Sequence, residues 1–160
     1  MAIDMFLKID DIKGESVDSK HAGEIQISSF SWGMSQSGST HVAAGSGSGK
    51  VNVQDLTVSK FVDSSTPTLM QFCANGKHLK QGVLTVRKAG GTPLEYYIIK
   101  FTDIIVAAIT PSGSGGEDRL MESLTLNFGQ FEVDYVPQKP DGSGGAAIQV
   151  TWNIPKNSAT

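Results

Sequence analysis

The segment AAGSGSGKVNV, Ala43 to Val53, alternates glycine with small residues ahead of a lysine. These are the residue types from which a phosphate-cradling loop is built. Such a loop needs G-x-x-x-x-G-K, then Ser or Thr, then a helix whose N-terminus meets the phosphates. Here three residues separate Gly45 from Gly49, and Lys50 is followed by Val51. The continuation KVNVQDLTVSKF alternates as a strand does, so no helix N-terminus would face a phosphate. The stretch reads as a loop in which Gly and Ser accept unusual backbone angles.

Other chemistry-bearing residues are equally dispersed. His21, His41 and His78 sit in separate loop-like segments. None is paired at zinc-finger or zincin spacing, so they read as incidental histidines. Cys73 falls on an apolar helix stripe and reads as a small buried hydrophobe. GEDRLMES offers Glu117, Asp118 and Glu122, residues of the type that hydrolyses glycosides when two carboxylates face each other across a cleft. They occupy a strand start with Arg119 among them, which reads as a solvated or ion-paired rim. No G-x-S-x-G elbow occurs. The expectation is a protein that is not an enzyme, without cofactor, metal or small-molecule substrate.

Composition narrows the classes further. A chain of 160 residues suits one domain, residues 1–160, with a real core. Charged residues are 18% of the chain and the net charge is −3, which argues against nucleic acid, since phosphate recognition needs clustered Lys and Arg. No run of about 20 apolar residues is available for membrane insertion. The opening MAIDMFLKIDD has no basic region followed by an apolar one, so no signal peptide is expected. One cysteine makes no internal disulfide.

The elements that must position these residues are mainly strands. AIQVTWNIP places Ile148, Val150, Trp152 and Ile154 on one face, and IDMFLKID does the same with Ile3, Met5, Leu7 and Ile9, although Phe6 breaks the polar side. SLTLNFGQFEVDY flips apolar parity across Gly129 and Gln130, which predicts a bulge or bend there. QGVLTVRKAGGTPLEYYIIKF reads as a hairpin around Gly90 and Gly91, its second strand running on through TDIIVAAITP. GEIQISSFSWGMS and KVNVQDLTVSKF bring the total to roughly seven to nine strands, as in an all-β sandwich or barrel. TPTLMQFCANG predicts the only helix, with Thr66 as N-cap, Pro67 at the first helical position and Gly76 just past the end. Leu69, Phe72 and Cys73 form its apolar stripe. Three Gly/Ser-rich loops punctuate the chain, and the one over about 37–50 is unusually long.

Several stretches together resemble the hemolysin-coregulated proteins (Hcp), which form the tube of the bacterial type VI secretion system. KGESVDSKHAGEIQISSFSWGMSQSGS, Lys13 to Ser39, is similar to that family's signature through Gly14, Glu15, Ser16, Asp18, His21, Glu24, Ile25 and Trp32. STPTLMQFCANGKH is similar to its single short helix, GGEDRLMESLTLNFGQFEVDYVPQ to its late strand pair and VTWNIPKN to its closing strand. The resemblance implies a small β-barrel of two packed antiparallel sheets with one flanking helix over about 66–76, similar to the tail-tube protein of contractile phages. It implies hexameric rings that stack head to tail into a hollow tube, driven from a Gram-negative cell by a contracting sheath and tipped by a spike. Some family members hold effector proteins inside the ring. It also implies a protein that is cytoplasmic before assembly and then secreted by the machine itself.

A ring needs a heterologous contact that closes, and stacking needs a second one that does not. The long loop is therefore expected to act as an arm toward a neighbouring ring or subunit, with Ser39, His41, Gly45, Gly47 and Lys50 as its candidate contact residues. In SSFSWGM, Phe30 and Trp32 share a face and leave Ser29 and Ser31 on the other. Ser31 is the candidate for the lumen and for effector contact. The alternative is a secreted β-sandwich binding module, lectin-like or adhesive; the missing signal peptide and disulfide pair weigh against it.

Overall fold

A computed structural model of the chain describes residues 2–37 and 50–160. The elements run β1 (Ile3–Ile9), β2 (Ile25–Ile27), β3 (Ser29–Ser31), β4 (Met34–Ser35), β5 (Asn52–Val53), β6 (Leu56–Phe61), α1 (Thr66–Asn75), β7 (Leu79–Lys88), β8 (Leu94–Ser112), β9 (Met121–Tyr135) and β10 (Ile148–Asn153). One eight-stranded antiparallel sheet follows the order β2-β1-β7-β8-β9-β6-β3, with β10 also paired to β9; β4 and β5 form a separate ribbon. The fold is mainly β, as expected, and the sheet curls into a nearly closed barrel. Residues 25–31 bring its two ends together. Ile25–Ile27 pairs with β1, the Ser28 N–H donates to the Ser59 carbonyl (2.8 Å), and Ser29–Ser31 pairs with β6.

Alternation fills the interior. Leu7, Ile25, Leu56, Val58, Leu84, Ile99, Phe101, Leu124 and Leu126 are buried in one cluster. The parity flip near Gly129 is present, and it is shared by three strands. Buried positions switch from Leu126 and Phe128 to Phe131 in β9, from Phe101 to Ile104 in β8, and from Leu79 to Leu84 in β7. Asp103 has φ 58 at that level, beside Gly129. The β8–β9 register is unchanged there, with Thr102 facing Gln130 and Ile104 facing Phe128. The strands bend together instead of one carrying an extra residue. Gly82 is needed at the bend, because a Cβ there would lie 2.4 Å from the Phe101 ring. The predicted hairpin is β7–β8, with Lys88 facing Leu94.

The helix start departs from the sequence expectation. Ser65 is the N-cap, its side chain making no cap hydrogen bond; Thr66 lies inside the helix, and Gly76 (φ 66) ends it with its N–H on the Phe72 carbonyl. Thr66 is recruited elsewhere: its Oγ1 donates to Glu122 Oε1 (2.6 Å) and accepts from the Asp63 N–H (3.2 Å). Leu69 and Phe72 are buried, while Cys73 is half-buried, not fully enclosed as expected. At the same place Lys60, 0% exposed, meets Glu122 and, at 3.0 Å, Asp63. Glu122 is therefore ion-paired inside the barrel instead of on its rim. Arg119 sits over the Phe61 ring at 3.8 Å, and Glu117 and Asp118 remain exposed.

The Lys13–Glu24 segment folds over the outer side of β1 and explains Phe6. That side chain is 2% exposed because His21 stacks on it at 4.3 Å and Arg87 lies 5.0 Å from its centroid. His21 sets Nδ1 2.6 Å from Glu24 Oε2 and Nε2 2.7 Å from Glu95 Oε1. Arg87 donates to both carboxylate oxygens of Asp18 (3.1 and 2.6 Å) and to Asp4 (3.1 Å). Gly14 allows the chain to cross Glu24, whose carbonyl oxygen would be 2.4 Å from a Cβ. His21 is thus a built-in part of the fold.

Two outcomes follow. Lys60→Met leaves a buried carboxylate without its cation and is expected to cost about 3–5 kcal/mol, read as a drop in Tm on the order of 10 °C. Lys60→Met/Glu122→Leu is expected to recover part of that loss. The second concerns acid. Hydrogen bonds from Arg87 hold the Asp18 carboxyl well below the usual carboxylate range. Its stabilisation is therefore fully present above its unfolded pKa of about 3.9 and lost as pH falls through the lower folded value. Asp18→Asn should melt below the wild type at pH 7, and melts taken downward from about pH 4 should show the two converging.

Candidate hydroxyl face and family membership

Because successive strand residues point to opposite faces, the buried Leu56, Val58, Leu124 and Leu126 fix what their neighbours present outside. Ser29 faces Ser59, which faces Ser123, which faces Thr110. In the adjacent row Ser31 faces Thr57, Thr57 faces Thr125, and Thr125 faces Ala108. Two parallel rows of small side chains thus cross β3, β6, β9 and β8, a span of about 14 Å at the usual strand spacing. Neither row contains a charge. Ser29, Ser31 and Thr110 are exposed, and Thr57, Ser59, Ser123 and Thr125 are half-buried. Thr57 Oγ1 and Thr125 Oγ1 are 3.5 Å apart.

Ser31 therefore lies at the edge of the face, pointing outward as its spacing predicts. Phe30 and Trp32 point the other way: Trp32 packs edge-on to Phe131 (5.0 Å) and donates from Nε1 to the Gln54 carbonyl (2.8 Å). The rest of the face went unread in the sequence. Its signal is the alternation Thr57, Ser59 and Ser123, Thr125, which becomes a site only when β6 lies between β3 and β9.

The ribbon of β4 and β5 pairs Met34 with Val53 and Ser35 with Asn52. It sets the two stems of the long loop side by side, with Ser37 and Lys50 exposed. Ser39, His41, Gly45 and Gly47 lie outside the described residues. Among the described residues no three or more His, Cys, Asp or Glu side chains are placed to hold a metal ion. His78 Nδ1 is 2.7 Å from Asp103 Oδ1 on the surface, well apart from His21. Among the described residues no helix is long and apolar enough to cross a membrane.

The whole chain has close relatives. Residues 6–135 match the family model described as "Type VI secretion system effector, Hcp". The chain is 55% identical over 159 residues to protein hcp1 of Pseudomonas aeruginosa, covering 98% of both chains. Among solved structures, Hcp1 from Salmonella typhimurium superposes with TM-score 0.84 at 39% identity over 100% of both chains. A type six secretion system protein gives TM-score 0.93 at 28% identity, covering 99% of this chain and 100% of that one. A family match across most of the length, a high-identity relative and the shared fold of those structures agree, and the chain belongs to the Hcp family of type VI secretion tube proteins.

Proposed function

We propose that this chain is a structural subunit that closes into hexameric rings, that the rings stack into a hollow tube, and that the hydroxyl face lines the channel. The uncharged double row through Ser31, Thr57 and Thr125 carries this reading. Small hydroxyls can exchange hydrogen bonds with many partners at a net value of about 1 kcal/mol each. They offer neither a charged lock nor a deep apolar pocket. Such a wall suits a conduit that holds an effector protein in transit and then releases it. The barrel of two packed sheets with its flanking helix is a rigid block for such a wall. The loop over residues 37–50 is the arm that joins one ring to the next. The sheath and the spike are the remaining partners: contraction of the sheath drives the tube, tipped by the spike, out of the cell.

Purified protein should give uniform annular particles in negative stain; a folded monomer at every concentration from about 1 to 100 μM would refute ring formation. Ser31→Tyr should keep the annuli and reduce effector co-purification about tenfold, equivalent to about 1.4 kcal/mol. Deleting Ala43 to Gly49 should leave rings intact and abolish their stacking into tubes. Folded monomers from that deletion would assign the loop to the ring contact instead.

A further inference from the structure

The Lys13–Glu24 segment is held down without an apolar anchor of its own. Its two apolar side chains, Val17 and Ala22, face solvent, and only Ser16 and His21 are buried. Backbone hydrogen bonds tie its two limbs together. The Gly14 N–H donates to the Gly23 carbonyl (2.8 Å), the Gly23 N–H to the Ser16 carbonyl (2.8 Å) and the Ser16 N–H to the Glu24 carbonyl (3.0 Å). Polar side chains fix this closed unit to the barrel. Asp18 reaches Arg87 on β7, His21 reaches Glu95 on β8, and Glu15 accepts from the Ser64 N–H (3.1 Å).

Among these anchors His21 has a chemistry that can change. Its Nδ1 is 2.6 Å from Glu24 Oε2 and its Nε2 is 2.7 Å from Glu95 Oε1. An ionised carboxylate only accepts hydrogen bonds, and a neutral imidazole has one N–H and one lone pair. A neutral ring would therefore aim a lone pair at a charged oxygen within hydrogen-bond distance. The imidazolium satisfies both sides with charge-assisted bonds. The surrounding charges favour the same state. Arg87 lies near the Phe6 ring on which His21 stacks, but it is already engaged by Asp4 of β1 and Asp18 of the segment. With Glu24 and Glu95, four carboxylates meet one arginine, and a second proton on His21 reduces the excess. Lys20, next in the chain, is exposed. The His21 side chain is only 9% exposed, so water has little access to replace a lost bond.

We infer that His21 is a proton-held latch: carrying a hydrogen on both ring nitrogens it pins the Lys13–Glu24 segment across β1, and loss of one of them releases the segment and uncovers Phe6 while the barrel stays folded. The proton passes to solvent and no bond between heavy atoms changes. The closed clamp requires this proton and the open one does not. Closure is therefore favoured at low pH and lost as pH rises through the point at which the folded ring gives the proton up. Asp18 runs the other way, since its hold on Arg87 is lost in acid. The clamp thus has one anchor that fails in acid and one that fails in base.

The test is solid-state NMR of the full chain labelled with 15N-histidine, with His41→Gln and His78→Gln isolating the His21 signal, combined with amide hydrogen exchange. At pH 7 His21 should show two N–H nitrogens; one pyridine-type nitrogen there overturns the latch. The pH is then raised until the pyridine-type signal appears. At that pH the protection of the Gly14, Ser16 and Gly23 amides, corrected for the intrinsic rate, should fall at least about tenfold, while Leu124 and Leu126 in β9 keep theirs. Unchanged protection of the segment overturns the inference, and so does a loss shared with β9, which would be unfolding of the barrel. His21→Gln should already be open at pH 7 and indifferent to the same rise in pH; wild-type protection in that variant refutes the pin. If it does not fold, Glu95→Gln, at a residue partly open to solvent, decides the matter. It should lower the pH at which the pyridine-type signal appears by about one unit, and an unmoved signal refutes the role of the carboxylate pair.

Discussion

A sheet becomes a barrel only if its two end strands are brought together, and here one short segment serves both. Ile25–Ile27 belongs to the β1 side and Ser29–Ser31 to the β6 side, with the handover at Ser28. This constraint organises most of the molecule. It buries Ile25 and Ile27, which have neighbours from both sheet ends. It sends Phe30 and Trp32 inward onto Tyr97, Phe128 and Phe131. It also sets Ser29 and Ser31 alongside Thr57 and Ser59, and so extends the hydroxyl rows by one strand.

Much of this was legible in the residues. Clean alternation gave β10, turn glycines gave the β7–β8 hairpin, and the helix stripe with Gly76 gave α1. The parity flip at Gly129 was readable too, though the matching flips in β7 and β8 were needed to show that it is a common bend. What could not be read depends on partners far apart in the chain. Lysine and glutamate are ordinarily surface residues, and Lys60 is enclosed only because Glu122, 62 positions later, meets it inside the barrel. The same pairing moved the helix cap. Two adjacent hydroxyls compete for that role, and Thr66 is drawn inward to Glu122, which leaves Ser65 at the boundary. Of the candidate site, Ser31 and its outward direction could be predicted. Its neighbours could not, because strand order brings together segments far apart in the chain, as the Thr57–Thr125 contact across 68 positions shows.

The motif that carries the family resemblance has a structural explanation. Gly14 permits a close crossing, Asp18 engages Arg87, and His21 lies between two carboxylates while covering Phe6. Together they clamp a loop on the outer side of β1 and bury a phenylalanine that would otherwise face water. At the tip Val17 is left 96% exposed. The residues that identify the chain thus act on the fold, while the proposed channel face is made of ordinary serines and threonines.

The bend shared by β7, β8 and β9 restricts how the chain can change length. In each of the three strands the inward set is offset by one on crossing the line through Gly82, Asp103 and Gly129. Adding or removing one residue in a single strand would turn half of it inside out. Compensating changes in all three preserve the barrel, so natural length variation should collect in the connecting turns and spare these strand interiors.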